Sequence, residues 1–303
     1  MRLGLMTAAL PTLELPELAA WAAESGYQML EIACWPPATA TRRYGGVTHI
    51  DVTEFDPGKA REIRSMIADH GLAISSLGYY PNPLDPDPDI SAAALDHLRA
   101  VIDAAELLEV EIVGTFIGAD QSKSSQMNLE AFARVWPPIV KYAAERGIKI
   151  AIENCPMLWA DTWPGGTNLA TTPAVWTQMF EIIPEDNFGL NYDPSHLVWQ
   201  FIDYIRPIHE FTDRIFHVHA KDMRIDRENL YRDGVLGCGF SWAIPKLPGL
   251  GDVDWSAFMS ALYEVGYDFV VSVEHEDRAF EGNEEAVKRG FYLTRDALKP
   301  LIH

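Results

Sequence analysis

The chain has 303 residues, of which 24 are Lys or Arg and 44 are Asp or Glu, and its formal net charge is −20 at neutral pH. A charge of this sign opposes contact with nucleic acid and with anionic membranes, so neither class of partner is expected. Three separated cysteines, no recognisable export signal and no run of roughly 20 apolar residues predict a cytoplasmic protein without a disulfide framework or a membrane span.

Short apolar segments alternate with longer amphipathic segments along the whole chain, which predicts βα units and a parallel sheet. The predicted strands span residues 2–8, 27–34, 72–80, 111–118, 148–156, 188–196, 214–222 and 268–276. The predicted helices span residues 15–25, 57–70, 91–108, 129–146, 173–183, 200–211, 255–265 and 283–301. Eight such units without a break in composition predict an α/β fold in which residues 1–303 form a single domain, a (β/α)8 TIM barrel.

A doubly wound open sheet is the alternative fold, but the first strand is not followed by the GxGxxG segment of a dinucleotide-binding version. Prolines predict kinks or early ends in two helices, at Pro137 and Pro138 in the fourth and at Pro207 in the sixth. Left-handed C-terminal caps are expected at the glycines that follow four of the helices. These glycines are Gly26, Gly71, Gly147 and Gly266.

Four side chains of metal-binding type stand at the C-terminal ends of the last four predicted strands. They are Glu153, Asp193, His219 and Glu274. These ends share the barrel face that carries active sites, and neighbouring strands lie about 4.8 Å apart, so the side chains can converge. Charged groups at the ends of buried apolar strands need a partner, and a divalent cation is the simplest one. This oxygen-rich set with one imidazole favours Mn²⁺, with Mg²⁺, Co²⁺ and Zn²⁺ as alternatives.

The segments IENCP, NYDPSH, HVHAKD, PGLGDVDW and VEHED resemble the xylose isomerase-like TIM barrels of the sugar phosphate isomerase/epimerase superfamily. This superfamily includes ketose 3-epimerases, inosose dehydratases and endonuclease IV. The resemblance spans nearly the whole chain and implies one metal ion held by the same four residues. It also implies a small carbohydrate substrate, and barrels of this type often form homo-oligomers.

The chemistry expected of such a site is proton transfer next to a carbonyl. A cation that bridges the carbonyl and a neighbouring hydroxyl of a keto-sugar acidifies the adjacent C–H and stabilises a cis-enediolate. Glu153 and Glu274 come from strands three apart, so one would take the proton and the other return it. We therefore predict an isomerase or epimerase. The alternatives are a dehydratase or lyase that eliminates from a 3-keto-sugar, keto-glycoside or keto-inositol, and a non-catalytic sugar-binding barrel.

Further residues are predicted to contact the substrate. His196 resembles the family histidine that binds a substrate oxygen near the metal. Lys221 is a second candidate, although a salt bridge to Glu274 or Asp222 is equally expected. Arg224 belongs to a long loop at 223–250 that is predicted to form a lid or an interface, as is the loop at 35–55.

Aromatic side chains near the predicted rim are candidates for an apolar wall against a sugar ring or an aglycone. They are Trp35, Tyr79, Tyr80, Trp159, Trp163, Trp199 and Trp242. Trp159 is the predicted substrate contact among them, and it occupies the position of a further glutamate in ketose 3-epimerases. The endonuclease reading is disfavoured, because His70 and His97 fall in predicted helices and the chain is acidic.

Two residues are predicted to support the site from behind. Glu31 resembles the strand-two glutamate of the family, and we expect it to orient a ligand such as His219. His217 alternates with His219 along the same strand and lies deeper, so we expect a buried histidine hydrogen-bonded to a neighbour in preference to a metal ligand.

Overall fold

A closed parallel barrel forms the centre of the molecule. The computed structural model describes residues 1–37, 44–158, 166–237 and 239–303. Its strands are β1 (Arg2–Met6), β2 (Met29–Ala33), β3 (Ala73–Gly78), β4 (Ile112–Thr115), β5 (Lys149–Glu153), β6 (Phe188–Tyr192), β7 (Ile215–Ala220), β8 (Asp222–Ile225), β9 (Ala243–Lys246) and β10 (Val270–Val273). The barrel contains β1 to β7 in order, and β10 closes it between β7 and β1. The predicted TIM barrel is confirmed, and the open-sheet alternative is wrong.

Helices surround this barrel. Within the described residues they are α1 (Leu15–Glu24), α2 (Pro57–Asp69), α3 (Pro88–Leu108), α4 (Ser125–Ala144), α5 (Pro173–Ile182), α6 (Ser195–Val198), α7 (Arg206–Glu210), α8 (Arg227–Asp233), α9 (Trp255–Glu264) and α10 (Glu284–Leu298). Short 3-10 turns at Thr7–Ala9, Thr212–Arg214, Arg278–Phe280 and Lys299–Leu301 complete the set. Among the residues that the structure describes, no helix is long and apolar enough to cross a membrane.

Burial explains why these segments form these elements. Every residue of β2, β4, β6 and β10 is buried, as expected for parallel strands covered on both faces. On α3 the residues Leu98, Val101, Ile102, Ala105 and Leu108 are buried at helical spacing, so one face of the helix packs inward. This core fixes the positions of the strand ends, where the predicted ligands lie.

The helix ends follow the sequence signals at the glycines. All four have positive φ: Gly26 at 82°, Gly71 at 69°, Gly147 at 71° and Gly266 at 76°. Glycine adopts this backbone conformation without the steric cost that other residues incur. The predicted left-handed ends are therefore confirmed.

The proline predictions were partly wrong. Helix α4 continues through Pro137 and Pro138, so neither proline ends it early. Its buried face, which includes Phe132, Trp136 and Val140, holds the helix in the core despite the two missing donors. Pro207 lies in the first turn of α7, where its missing N–H costs no intrahelical bond, and the helix starts there. The predicted helix at 200–211 is accordingly reduced to five residues.

The long segment after β7 is folded. Strands β8 and β9 form an antiparallel pair from Asp222 opposite Lys246 to Ile225 opposite Ala243, and α8 lies between them. Four buried residues form an apolar cluster separate from the barrel core: Trp199, Met223, Ile225 and Trp242. Among its described residues the 223–250 segment forms a hairpin and a helix, and three of its side chains share the small cluster with Trp199. Its role as a lid or an interface stays a prediction.

Candidate metal centre

The four predicted ligands converge at the C-terminal mouth of the barrel. One potential ligand atom from each of Glu153, Asp193, His219 and Glu274 lies within 4.8 Å of the others. All four residues are buried, with exposed fractions of 3%, 0%, 0% and 6% respectively. Glu153 ends β5, Asp193 and Glu274 directly follow β6 and β10, and His219 is in β7. The barrel therefore brings together side chains from four adjacent strands.

Two asparagines fix the backbone that carries the carboxylates. The Asn154 side chain accepts from the Asp193 N–H and donates to the Asp193 carbonyl, both at 2.8 Å. The Asn168 amide donates to the carbonyls of Glu153 at 3.0 Å and Cys155 at 2.7 Å. Buried backbone groups at irregular strand ends need such partners. These bonds fix the backbone positions of Glu153 and Asp193.

The donor set fits a cation. Four of the buried side-chain atoms without a hydrogen-bond partner among the described residues belong to the centre: Glu153 Oε1, Asp193 Oδ2, His196 Nε2 and His219 Nδ1. The Lys221 ammonium forms an ion pair with two of them, at 3.2 Å from Asp193 Oδ2 and 3.7 Å from Glu153 Oε1. Leaving buried polar atoms unsatisfied is costly unless something else compensates them. Carboxylate oxygens and an imidazole nitrogen at this spacing are suitable ligands for a divalent ion.

A carboxylate behind the centre orients the histidine ligand. His219 Nε2 lies 2.7 Å from Glu31 Oε2, which leaves Nδ1 facing Glu153 Oε1 and Glu274 Oε2, each at 3.6 Å. Tyr80 and Ser272 also donate to the Glu31 carboxylate. Burial opposes ionisation of Glu31, but the adjacent His219 outweighs it and lowers the pKa of Glu31 to about 2. Glu31 is thus an ionised acceptor that selects the His219 tautomer.

His217 lies one layer deeper on β7. Its Nδ1 is 2.9 Å from Asn191 Oδ1 and its Nε2 is 3.2 Å from Ser75 Oγ. Burial lowers the pKa of His217 to about 4, so it is a neutral imidazole at neutral pH. The structure places it as a hydrogen-bonded histidine in the barrel interior, 4.0 Å from the Glu31 carboxylate.

Lys221 extends its ammonium group into the cluster. Lys221 Nζ lies 2.6 Å from Glu274 Oε2, 3.2 Å from Asp193 Oδ2 and 3.6 Å from Glu276 Oε2. Burial opposes the charge, but the surrounding carboxylates hold the pKa of Lys221 well above its ordinary value. For Glu274, burial raises the pKa to about 8 despite the neighbouring ammonium. Of the two predicted partners, Glu274 makes the salt bridge.

His196 completes the inner surface of the site. Its Nε2 lies 3.4 Å from Asp193 Oδ2 and 3.5 Å from Glu153 Oε1. The short helix α6 sets this position, because Asp193 Oδ1 accepts the Ser195 N–H at 2.8 Å and starts the turn. His196 can therefore reach a ligand that contacts the same carboxylates.

The remaining predicted residues differ in what the structure shows of them. Arg224 is exposed on β8. Trp159 lies outside the described residues, as does Trp163. Of the predicted rim aromatics, Tyr80 donates to Glu31, and Trp35 packs 5.8 Å from the Tyr80 ring.

Sequence reasoning overlooked several supporting residues. Asn154 stands beside a predicted ligand in the IENCP segment, which was the available signal, whereas Asn168 has no such neighbour in sequence. Asp222 was considered only as a partner for Lys221. Its carboxylate instead accepts the N–H groups of Gly249, Gly251 and Val253, at 3.0, 3.2 and 3.0 Å, and the Trp255 indole N–H at 2.9 Å. These partners lie in the PGLGDVDW segment, so Asp222 attaches that turn to the end of β7.

A cavity of about 540 Å³ opens beside the centre, between the segment after β5, the β8–β9 hairpin and the segment after β10. Cys155, His196 and Glu276 line the part near the four predicted ligands. A second cavity of about 630 Å³ lies toward α4 and shares Pro156, Leu158 and Trp199 with the first. The site thus has room for a small organic molecule next to a cluster of ionisable groups.

A family model and known proteins match this chain. A model of the xylose isomerase-like TIM barrel family matches residues 19–297. The uncharacterized protein YfiH of Bacillus subtilis (strain 168) is 26% identical, with 100% of this chain and 99% of that protein covered. An inosose dehydratase of Geobacillus thermodenitrificans (strain NG80-2) is 31% identical over 157 residues, which are 50% of this chain and 49% of that enzyme.

Two solved structures show the same fold. D-Psicose 3-epimerase from Clostridium cellulolyticum H10, determined with D-tagatose, has a TM-score of 0.73 at 17% identity and 100% coverage of both chains. The IOLI protein with a bound zinc atom has a TM-score of 0.72 at 19% identity, covering 100% of this chain and 99% of that one. At these identities the similarity establishes the fold alone.

Proposed function

Since the chain belongs to the xylose isomerase-like TIM barrel family, we propose that it is a metal-dependent isomerase or epimerase of a keto-sugar or related polyol. One observation carries the proposal. Four buried ligand atoms from four adjacent strands lie within 4.8 Å of one another, and two of them belong to the glutamates predicted as acid and base.

We propose Mn²⁺ as the ion, held by Glu153, Asp193, His219 and Glu274. The ion would supply Lewis acidity toward the substrate carbonyl and a neighbouring hydroxyl. Glu153 and Glu274 stand on strands separated by β6 and β7, so they approach a bound sugar from different sides. In the proposed reaction one glutamate removes the proton next to the carbonyl and the other returns a proton.

His196 and Lys221 are proposed to position the sugar. Both present nitrogen atoms within 3.5 Å of a ligand carboxylate, so a hydroxyl bound there can also reach them. A buried ammonium group next to developing negative oxygen charge stabilises it more than the same group in water. Arg224 and Trp159 remain predicted substrate contacts, and Glu31 and His217 remain predicted supporting residues.

A metal-dependent dehydratase or lyase is the second candidate. It uses the same ion and the same base but ends in loss of a β-hydroxyl or an aglycone. The inosose dehydratase similarity over half the chain favours it specifically. Detection of an unsaturated or released product would separate it from epimerisation.

We further propose a cytoplasmic homo-oligomer that acts on a small carbohydrate. The acidic charge supports the absence of nucleic acid and membrane partners, and the family resemblance supports the oligomer.

The first experiment is elemental analysis of the purified protein and two variants, Glu274→Gln and Glu111→Gln. Glu111 precedes β4 at the opposite end of the barrel and gives a matched control. We expect about one divalent ion per chain in wild type and in the control variant, and a lower content in Glu274→Gln. The metal-loaded protein should then exchange substrate C–H for solvent deuterium across a set of keto-sugars. If the wild-type protein does not bind added Mn²⁺, the proposal of a metal-dependent enzyme is refuted.

A further inference from the structure

We infer that the 540 Å³ cavity beside the metal centre binds an aromatic substituent attached to the sugar, so that the substrate is a keto-glycoside with an aryl aglycone. The inference rests on the proposed function, because it places the sugar ring at the four ligands. His196, Cys155 and Glu276 line the cavity and also border the centre: ligand atoms of Cys155 and His196 lie within 4.8 Å of Glu153, and Glu276 Oε2 lies 3.6 Å from Lys221 Nζ.

The first supporting observation is the composition of the cavity wall. Trp199, Met223, Phe240, Leu158 and Ile244 all line it. Trp199 and Phe240 pack edge to face at 5.5 Å, which gives a fixed aromatic corner. Such a wall suits a planar apolar ring, whereas a sugar ring needs hydrogen-bonding groups around its edge.

The second observation is that the short helix α6 contributes residues to both the candidate metal centre and the cavity wall. His196 faces Asp193 and Glu153, and Trp199, three residues later at the end of α6, lines the aromatic corner. Because α6 carries His196 and ends at Trp199, and both line the cavity, a sugar that contacts His196 can direct a substituent toward Trp199.

The third observation concerns charge and size. Of the charged side chains that line the cavity, Lys246 is paired with Asp277 at 3.0 Å, Glu276 lies 3.6 Å from Lys221 Nζ, and Arg278 is exposed. Cavities of about 300 to 1,000 Å³ enclose drug-sized ligands, and 540 Å³ in addition to the space at the metal centre exceeds what one monosaccharide fills.

The test compares two unreactive probes, phenyl β-D-glucopyranoside and methyl β-D-glucopyranoside, by isothermal titration calorimetry with the metal-loaded protein. We expect the phenyl glycoside to bind about tenfold tighter or more, because burial of the ring adds apolar contact. In Trp199→Ala this advantage should fall to about threefold or less, with the methyl glycoside affinity unchanged. The matched control is Trp21→Ala, because Trp21 contacts Phe291 and Tyr292 on the outside of the barrel.

Three results would overturn the inference: no measurable binding of the phenyl glycoside, equal affinity for both probes, or a phenyl preference that survives Trp199→Ala. Thermal unfolding of each variant verifies that it is folded. Mn²⁺ binding is measured on the same samples. Normal Mn²⁺ binding without a preference for the phenyl glycoside would reject the inference about the cavity and leave the proposed metal enzyme intact. Absence of Mn²⁺ binding in the wild-type protein would reject the proposed function itself.

Discussion

At the scale of single residues, the candidate metal centre is supported by groups that lie behind its predicted ligands. Glu31 is fully buried and accepts from His219, Tyr80 and Ser272, so three donors hold one carboxylate in place. Its ionised form makes the His219 nitrogen that faces the cluster a better ligand. In the proposed metal site, the glutamate would thus contribute to metal affinity through the histidine.

We predict that Glu31→Gln lowers metal affinity by roughly 10- to 100-fold, because the neutral amide is a weaker partner for His219. Competition with a chelator on purified protein measures the change. Glu111→Gln, at the opposite end of the barrel, should leave affinity unchanged. An equal affinity in Glu31→Gln and wild type would contradict the role of Glu31.

Metal affinity should also depend on pH. Because burial raises the pKa of Glu274 to about 8, a proton occupies this ligand over much of the neutral range and competes with the ion. We predict that apparent affinity rises with pH and levels off above about 8, with a slope approaching tenfold per pH unit below that value. Mn²⁺ titrations at a series of pH values test this. Burial opposes protonation of His219, but Glu31 and Glu153 outweigh it and raise the pKa of His219, so a proton on this candidate ligand competes as well. The slope should therefore become shallower in Glu274→Gln, and a flat wild-type profile would contradict the prediction.

At the scale of elements, Asp222 connects the junction of β7 and β8 to the turn at residues 249–253. Its carboxylate receives three backbone N–H groups from residues 249–253 and the Trp255 indole, at the point where β7 passes into β8. Gly251 approaches so closely that a Cβ atom there would lie 2.2 Å from Asp222 Oδ1. The turn therefore packs directly on the residue that follows Lys221.

We predict that Asp222→Ala lowers the free energy of unfolding by about 3 kcal/mol, since several buried donors lose their acceptor at once. Asp254→Ala is the matched control. Asp254 caps α9 by accepting the Ala257 N–H, and its loss should cost about 1 kcal/mol. Urea denaturation of both variants measures the difference, and equal losses would contradict the prediction.

The elements that sequence predicted well are those set by local pattern. Alternating apolar runs predicted all eight barrel strands, and strand ends predicted the residues that meet as Glu153, Asp193, His219 and Glu274. The hairpin of β8 and β9 was missed because β9, with the sequence AIPK, lacks a long apolar run and carries a proline. The partners of Asp222 lie 27 to 33 residues away and depend on the closed barrel, so no local pattern reveals them.

At the scale of the whole molecule, charge is the dominant feature. A net charge of −20 makes the folded chain repel itself, and compaction increases that repulsion. Several cationic side chains already pair with carboxylates, as in the contacts of Arg146 with Asp103 and of Lys288 with Glu284. The excess of acidic over basic side chains still leaves the net charge of −20.

We predict that raising NaCl from about 0.02 to about 0.5 M increases the thermal midpoint by a few degrees, because salt screens the repulsion. Differential scanning calorimetry measures the midpoint. Chelator-treated and Mn²⁺-loaded samples are compared in parallel, so that a salt effect on metal binding is recognised. A lower midpoint at high salt in both samples would contradict the prediction.

The pairing of β1 with β10 has a consequence for biosynthesis. Residues 2–5 are made before their partners at 270–273, which follow more than 260 residues later. Until then β1 and β7 each keep an open hydrogen-bonding edge, which invites pairing with other chains. The sheet can close only after nearly the whole domain has left the ribosome, so the partly synthesised chain is the form of this protein most exposed to aggregation and to chaperones.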